Sequence, residues 1–253
     1  MSLFYRFTGI ENFHIFSTRV GGISSPPFNF LNLSFTVGDD PQNVIENRKI
    51  LSQKAGFPLE KLVLAQQVHH DGFHIVTEKD AGRGAFSYED AIPETDILLT
   101  GEKNIPIGVL LADCLGMVLS SPKAVAVAHA GWRGTSLSVA RKTVELMRKE
   151  FGISPGEVKV AFSPAIEAHN YEVDLKRAEE FALKDPANEK FVMEADGKIF
   201  LDIVGANFAQ LVEEGIKPSS IFRPPFGTSH PLFFSHRLSG GRTGRQIALA
   251  MLV

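Results

Sequence analysis

The chain has a single cysteine, Cys114, among 253 residues. A solitary thiol cannot close an internal disulfide, so it is left with packing, nucleophilic attack or metal ligation. There is also no His-x-His pair among the eight histidines. Long apolar runs are missing too: Ile107 to Ala112 and Ala124 to Ala128 are far too short to cross a bilayer as helices. The opening Met1-Ser2-Leu3-Phe4-Tyr5-Arg6-Phe7 lacks a basic region followed by an apolar core, so no export is expected and a cytoplasmic location is. A net charge of -3 leaves no excess of either sign to coat a polyanion, so neither nucleic acid nor membrane is expected as a partner. Without low-complexity linkers or a repeat period, residues 1–253 read as one domain.

A coarse series of elements is legible. Asp39-Asp40-Pro41 sets a capping carboxylate before a proline suited to a first helical turn, and Val44, Ile45, Arg48 and Leu51 continue at helical spacing to Gly56. Leu62 to Val68 reads as a strand delivering His69 at its end, and Ile107 to Ala112, Met117 to Ser120 and Ala124 to Ala128 read as buried strands around Cys114 and before His129. A helix is expected from about Thr135 to Phe151, stopped by Gly152. Further helices are expected at Asp174 to Leu183, Asp202 to Glu214 and Thr243 to Met251, with strands near Val158 to Phe162 and Leu232 to Phe234. Periodicity alone thus predicts a mixed α and β protein with its strands inside.

His69, Cys114 and His129 each follow a predicted strand, so one sheet edge could gather two imidazoles and a thiol, a donor set that suits zinc. Three ligands without a fourth make an open site of the catalytic kind. The spacing matches no local zinc-finger pattern, and two other readings stand beside it. Cys114 can be a small buried hydrophobe and His129 a core histidine held by one hydrogen bond. Alternatively, Cys114 is a nucleophile and His129 its base, with a third group orienting the ring; Asp113 is too close in sequence to be assumed to do so. Cys114, His129 and Asp113 are the candidate catalytic residues, Asp113 as a positioning group. His70 and His74 could extend the site, whereas His14, His230 and His236 have no comparable case.

Arginine placement suggests an anion. Arg19 precedes Gly21-Gly22, Arg48 lies on the first helix and Arg133 lies between two glycines, where guanidinium and backbone amides could hold phosphate. Each could equally be a surface ion-pair residue. Trp132 is either a stacking surface or an anchor for the helix that follows.

The ordered segments Phe16-Ser17-Thr18-Arg19-Val20-Gly21-Gly22, Gln67-Val68-His69, Ala112-Asp113-Cys114, His129-Ala130-Gly131-Trp132-Arg133-Gly134, Tyr171-Glu172-Val173, Phe234-Ser235-His236-Arg237 and Thr243-Gly244-Arg245 resemble the multicopper polyphenol oxidoreductase, or laccase-domain, family. The resemblance implies a single α+β domain, layered α/β/β/α with mixed β-sheets, like the catalytic domains of cytotoxic necrotizing factors. It implies zinc at His69, Cys114 and His129, and phosphorolysis of purine nucleosides such as adenosine or inosine, with adenosine deamination as a second activity. Guanosine and methylthioadenosine are further expected substrates. A cysteine-histidine hydrolase, a copper-dependent oxidase and a non-enzymatic metal-binding protein are the alternatives. The missing His-x-His pairs undersupply a multicopper centre, although His2Cys alone could hold one copper. This chain departs from the family at His70, often glycine there, and at His169-Asn170, often a cysteine pair, which bears on substrate preference.

Overall fold

The computed structural model describes residues 2–253, and its organisation follows from where the apolar runs can hide. In chain order the strands open with β1 (Phe4–Tyr5), β2 (Phe13–Ser17), β3 (Val63–Leu64), β4 (Phe73–Ile75), β5 (Ile97–Thr100), β6 (Ile107–Leu111) and β7 (Leu115–Ser120). They continue with β8 (Val125–Ala130), β9 (Lys159–Phe162), β10 (Glu172–Val173), β11 (Val192–Ala195), β12 (Lys198–Leu201), β13 (Ile221–Phe222) and β14 (Gln246–Met251). The α-helices are α1 (Pro41–Ala55), α2 (Trp132–Ser136), α3 (Val139–Phe151), α4 (Leu175–Lys184) and α5 (Ile203–Glu213).

Two mixed sheets carry the core, in the orders β1-β2-β14-β6-β3 and β13-β9-β7-β8-β5-β4; a small antiparallel sheet, β10-β12-β11, lies beside them. Side-chain parity explains the stacking. Leu98, Val118, Val125 and Val127 of the larger sheet pack with Phe16, Val109 and Ala248 of the other, whereas their neighbours Leu99, Met117, Leu119, Ala126 and Ala128 pack with Val144 and Met147 of α3 and Leu211 of α5. On the far side, Ile15 and Leu249 pack with Leu51 of α1. The order is helix, sheet, sheet, helices. Strands β7 and β8 are covered on both faces, which is why, apart from Ser120 and His129 near their ends, they are continuously apolar rather than alternating. Full burial of each such Leu, Val or Ile contributes about 1.5–3 kcal/mol.

The first helix forms as its sequence predicts: Asp40 accepts from the N–H of Gln42, Pro41 opens the first turn and Gly56 ends it at φ +82°. Other expectations need correction. Thr243–Met251 is not helical, because Gln246–Met251 is strand β14 in the middle of a sheet, paired with both β2 and β6. Pairing and burial on two faces override the helical spacing of an alanine-rich run. Leu232–Phe234 is a turn rather than a strand, and Phe234 lends its N–H and C=O to the side chain of Gln246. The strand expected over Leu62–Val68 is confined to Val63–Leu64, and Gln67 instead bonds to the backbone of Leu110 at both ends of its amide.

The helix expected from Thr135 to Phe151 is broken into α2 and α3 at Ser138, which has φ +57°. The break has a local cause. The carbonyl of Thr135, which a continuous helix would offer to residue 139, accepts instead from the N–H of Ser138 at 3.0 Å and from Gln210 Nε2 at 3.0 Å.

Candidate active site

Antiparallel register builds the centre of the site. Strands β7 and β8 pair Leu115 with Ala130 and Gly116 with His129, so Cys114, just ahead of β7, arrives beside the end of β8. His129 is therefore the penultimate residue of its strand, not a residue beyond it. His69 reaches the same point from the loop after β3, in a left-handed conformation at φ +58°. One ligand atom from each of His69, Cys114 and His129 lies within 4.8 Å of the others, and the two imidazole rings meet edge to face at 4.7 Å.

One residue holds both histidines. Asp96 immediately precedes β5, whose Ile97 pairs with Ala128, and it is fully buried. Its carboxylate accepts from His129 Nδ1 at 2.7 Å and from the backbone N–H groups of Val68, His69 and His70 at 3.1, 3.1 and 2.9 Å. The N–H of His129 also donates to the Asp96 carbonyl at 2.8 Å. Burial pushes the Asp96 carboxyl up, but hydrogen bonds from His129 and the backbone amides hold it below the usual carboxylate range.

The thiol and imidazole tune each other. Burial raises the Cys114 thiol, but the charge of His129 and hydrogen bonds from both imidazoles outweigh it and bring the group down to about 6. Burial lowers His129, yet the Cys114 charge and the bonds to Asp96 and Cys114 carry it up to about 9. A thiolate beside an imidazolium is thus favoured at neutral pH. Cys114 is thickly surrounded by protein but keeps part of its surface open to the cavity, His69 is exposed and His129 is buried. Two imidazoles and a thiolate, with one ring locked from behind, are a donor set that fits zinc or a single copper.

The trio opens into a cavity of about 610 Å³. Arg48, Arg237 and Arg245 line it, and among the described residues none of the three has a carboxylate within ion-pair distance. Arg177 lines it too, stacked 5.5 Å from the Trp132 ring, and Phe35, Tyr88 and Tyr171 add aromatic walls. Arg48 is the most constrained: its guanidinium donates to the carbonyls of Leu33, Gly84 and Ala85, and burial pulls it down to about 9. Among the described residues the Arg245 guanidinium uses only Nη1, on the carbonyls of Thr243 and Gly244.

Of the arginines singled out in the sequence, only Arg48 lies in this cavity. Arg133 is exposed over the Trp132 ring, and Arg19 donates to the Asn29 carbonyl and stacks on Phe234. Asp113 lines the cavity wall without belonging to the trio; at φ +91° it accepts from Thr228 Oγ1 and from the N–H of Arg237, both at 2.6 Å. It thereby sets the loop that carries Arg237. His70 turns away to Asp71, at 2.6 Å, and His169 lines a different cavity. Sequence reasoning gave no site role to Asp96, Tyr171, Arg177, Arg237 or Arg245. The signal for Arg237 and Arg245 was present in the matched segments around them, whereas Asp96 is visible only through the register of β5 on β8.

Comparison with known proteins places this geometry. The family model described as multi-copper polyphenol oxidoreductase laccase matches residues 13–253. The chain belongs to that family. Among its relatives, the purine nucleoside phosphorylase YlmD of Geobacillus stearothermophilus is 37% identical over 238 residues, which is 92% of this chain and 87% of that protein. A purine nucleoside phosphorylase of Deinococcus radiodurans is 33% identical over 93% of this chain and 87% of its own length. The crystal structure of YlmD from Geobacillus stearothermophilus superposes with a TM-score of 0.91 at 33% identity, over 99% of both chains. That of the Bacillus licheniformis hypothetical protein YfiH gives 0.90 at 34% identity, over 95% of this chain and 92% of the other. These laccase-family relatives share the single-domain α+β architecture with mixed sheets.

Proposed function

We propose that this cavity binds a purine nucleoside with inorganic phosphate and cleaves the glycosidic bond. A phosphate oxygen attacks the anomeric carbon, the bond from that carbon to the purine nitrogen breaks, and the departing base takes up a proton. The products are the free base and ribose 1-phosphate. The observation that carries this reading is a pair of guanidinium groups, Arg237 and Arg245, that among the described residues have no carboxylate partner and that line a cavity with aromatic walls, with Arg48 setting that wall from behind. Guanidinium forks suit phosphate, and aromatic faces suit a planar base. The relatives named purine nucleoside phosphorylases support the substrate class.

His69, Cys114 and His129 are assigned as zinc ligands, with copper as the substitute metal. When bound, zinc supplies a polarised water or substrate oxygen, chemistry suited to adenosine deamination as a second activity. Adenosine and inosine are the leading substrates, with guanosine and methylthioadenosine beside them. Residues 1–253 act in this reading as one cytoplasmic unit on small molecules, without a nucleic-acid or membrane partner. The helix, sheet, sheet, helix order is assigned to the fold type of cytotoxic necrotizing factor catalytic domains. The test is incubation of the zinc-loaded protein with inosine and phosphate, which should yield hypoxanthine and ribose 1-phosphate. Absence of free base from every nucleoside in a purine panel would sink it.

A cysteine hydrolase or deamidase is the second reading, favoured by the line Cys114, His129, Asp96, in which the carboxylate orients the imidazole beside the thiol. Stoichiometric labelling of Cys114 in a metal-free, active protein would support it.

A further inference from the structure

We infer that Asp96 is the positioning residue of the whole centre: one buried carboxylate that orients the His129 ring and clamps the turn carrying His69, so that both imidazoles face Cys114. The inference rests on the metal reading only for its affinity arm.

The argument starts from hydrogen-bond capacity. A carboxylate has two oxygens and about four acceptor positions. Here Oδ1 accepts from the N–H of His69 and Nδ1 of His129, and Oδ2 accepts from the N–H groups of Val68 and His70. Three backbone N–H groups bonded to it favour the ionised carboxylate, which can only accept, so the proton of its bond to His129 sits on Nδ1. The other ring nitrogen, Nε2, is thereby the one turned to Cys114 and His69. Among the described residues, the one side-chain partner of Nδ1 is Asp96, at 2.7 Å, and it sets this choice.

The same four bonds fix the second imidazole. Three successive N–H groups converging on one anion force the backbone of 68–70 into a tight cup, and His69 sits at its centre with φ +58°, a conformation that non-glycine residues seldom adopt. Without the anion, that turn would leave three N–H groups unpaired and would have no reason to keep the left-handed residue. Asp96 itself cannot drift: its N–H donates to the Gly72 carbonyl at 3.0 Å and its carbonyl accepts from His129 N–H, which ties it into the sheet on one side and the loop on the other. A separate pin, Asp71 to Lys142 Nζ at 2.6 Å, holds the following stretch of loop to α3 without touching either imidazole.

The test compares Asp96→Asn and Asp96→Glu with Asp71→Asn. In Asp96→Asn an amide replaces one acceptor oxygen by a donor that faces N–H groups. Zinc affinity, measured by competition with a chromogenic chelator, should fall about 10–100-fold, as removal of an outer partner of a metal-bound histidine does. Amide protons of residues 68–70 should lose their protection from exchange, while Asp96→Glu recovers part of both and Asp71→Asn binds zinc as the unaltered chain does. The metal-free, unaltered protein should show a hydrogen-bonded proton on His129 Nδ1 by nitrogen-edited NMR, a readout that needs no variant to fold. A proton found on Nε2 alone, unchanged protection in Asp96→Asn, or an equal loss of zinc in Asp71→Asn would overturn the inference. An unaltered chain that takes up no zinc yet shows the Nδ1 proton and the loss of protection in Asp96→Asn would end the metal reading and leave Asp96 as the anchor of the pair.

Discussion

A methyl group on Gly131 would lie 2.9 Å from the Cys114 sulfur and 3.4 Å from Cδ2 of His69. The backbone of Gly131 is unstrained, at φ -79°, so crowding is the only penalty a larger residue meets there. Gly131→Ala must push the sulfur and imidazole out of the arrangement that brings three ligand atoms within 4.8 Å of one another. Zinc content and phosphorolysis should both fall sharply, while thermal stability drops by no more than the roughly 1–3 kcal/mol typical of local overpacking. Metal analysis beside calorimetry checks this; a variant that keeps full zinc and full turnover would show that the close approach is incidental.

Arg48 and Arg245 should separate into structural and ligand-binding roles. Arg48 satisfies the carbonyls of Leu33, Gly84 and Ala85 from a buried position, so Arg48→Met strands acceptors and should cost about 3 kcal/mol or more of stability. Among the described residues the Arg245 guanidinium bonds the protein through Nη1 alone, leaving donors for an anion. Arg245→Gln should raise KM for phosphate by about tenfold or more, consistent with losing one hydrogen bond to a charged group. KM for the nucleoside should move much less. Steady-state kinetics with each substrate varied, and denaturation curves for both variants, test the split.

How much of this was readable beforehand depended on the range of the forces involved. The first helix was legible because its cap, proline and terminal glycine are local signals. Strands β7 and β8 were legible because burial on both faces leaves an apolar run, and His129 and Cys114 follow from them, fifteen residues apart on a short antiparallel pair. Strand β14 is not legible locally, because the state of its six buried residues is decided by β2 and β6, far away in sequence, and not by their own spacing. Asp96 went unnoticed for a related reason: before an apolar run it looks like any turn residue, and only its pairing partner across the sheet reveals which histidine it meets. The arginines divided likewise, since Arg19 and Arg133 had suggestive glycine neighbours, whereas Arg237 and Arg245 arrive in the cavity from the far end of the chain.

His14 offers a pH test away from the active site. It is buried, its Nε2 accepts from the N–H of Phe7 at 3.0 Å, and its Nδ1 bonds to the Asn12 carbonyl at 3.0 Å, so the fold requires the neutral ring. Burial lowers its pKa below the ordinary 6.5, with the nearby charge of Arg6 adding to the shift and the Asn12 bond opposing it. Between that ordinary value and the depressed one the unfolded chain binds a proton that the folded chain refuses, so stability present above 6.5 is lost as pH falls through this window. His14→Gln, neutral throughout, should show a shallower loss of stability from pH 7.5 to 5.5 in denaturant titrations. Parallel slopes for the two proteins would remove His14 from the account.

Cys114→Ser separates ligation from attack at the centre itself. A serine hydroxyl is nearly the size of the thiol, so it fits above Gly131, but at neutral pH it remains protonated and is a poor partner for a soft or borderline metal. If Cys114 is a ligand, zinc content and phosphorolysis fall together, and saturating zinc restores part of the turnover by forcing a weakened site to fill. If Cys114 is the nucleophile of a hydrolase, added metal restores nothing, and the unaltered protein stays active after dialysis against chelator while losing activity one-for-one with thiol labelling. The two outcomes diverge at the chelator step, because His69, Cys114 and His129 cannot spend the same thiolate on a metal and on a substrate.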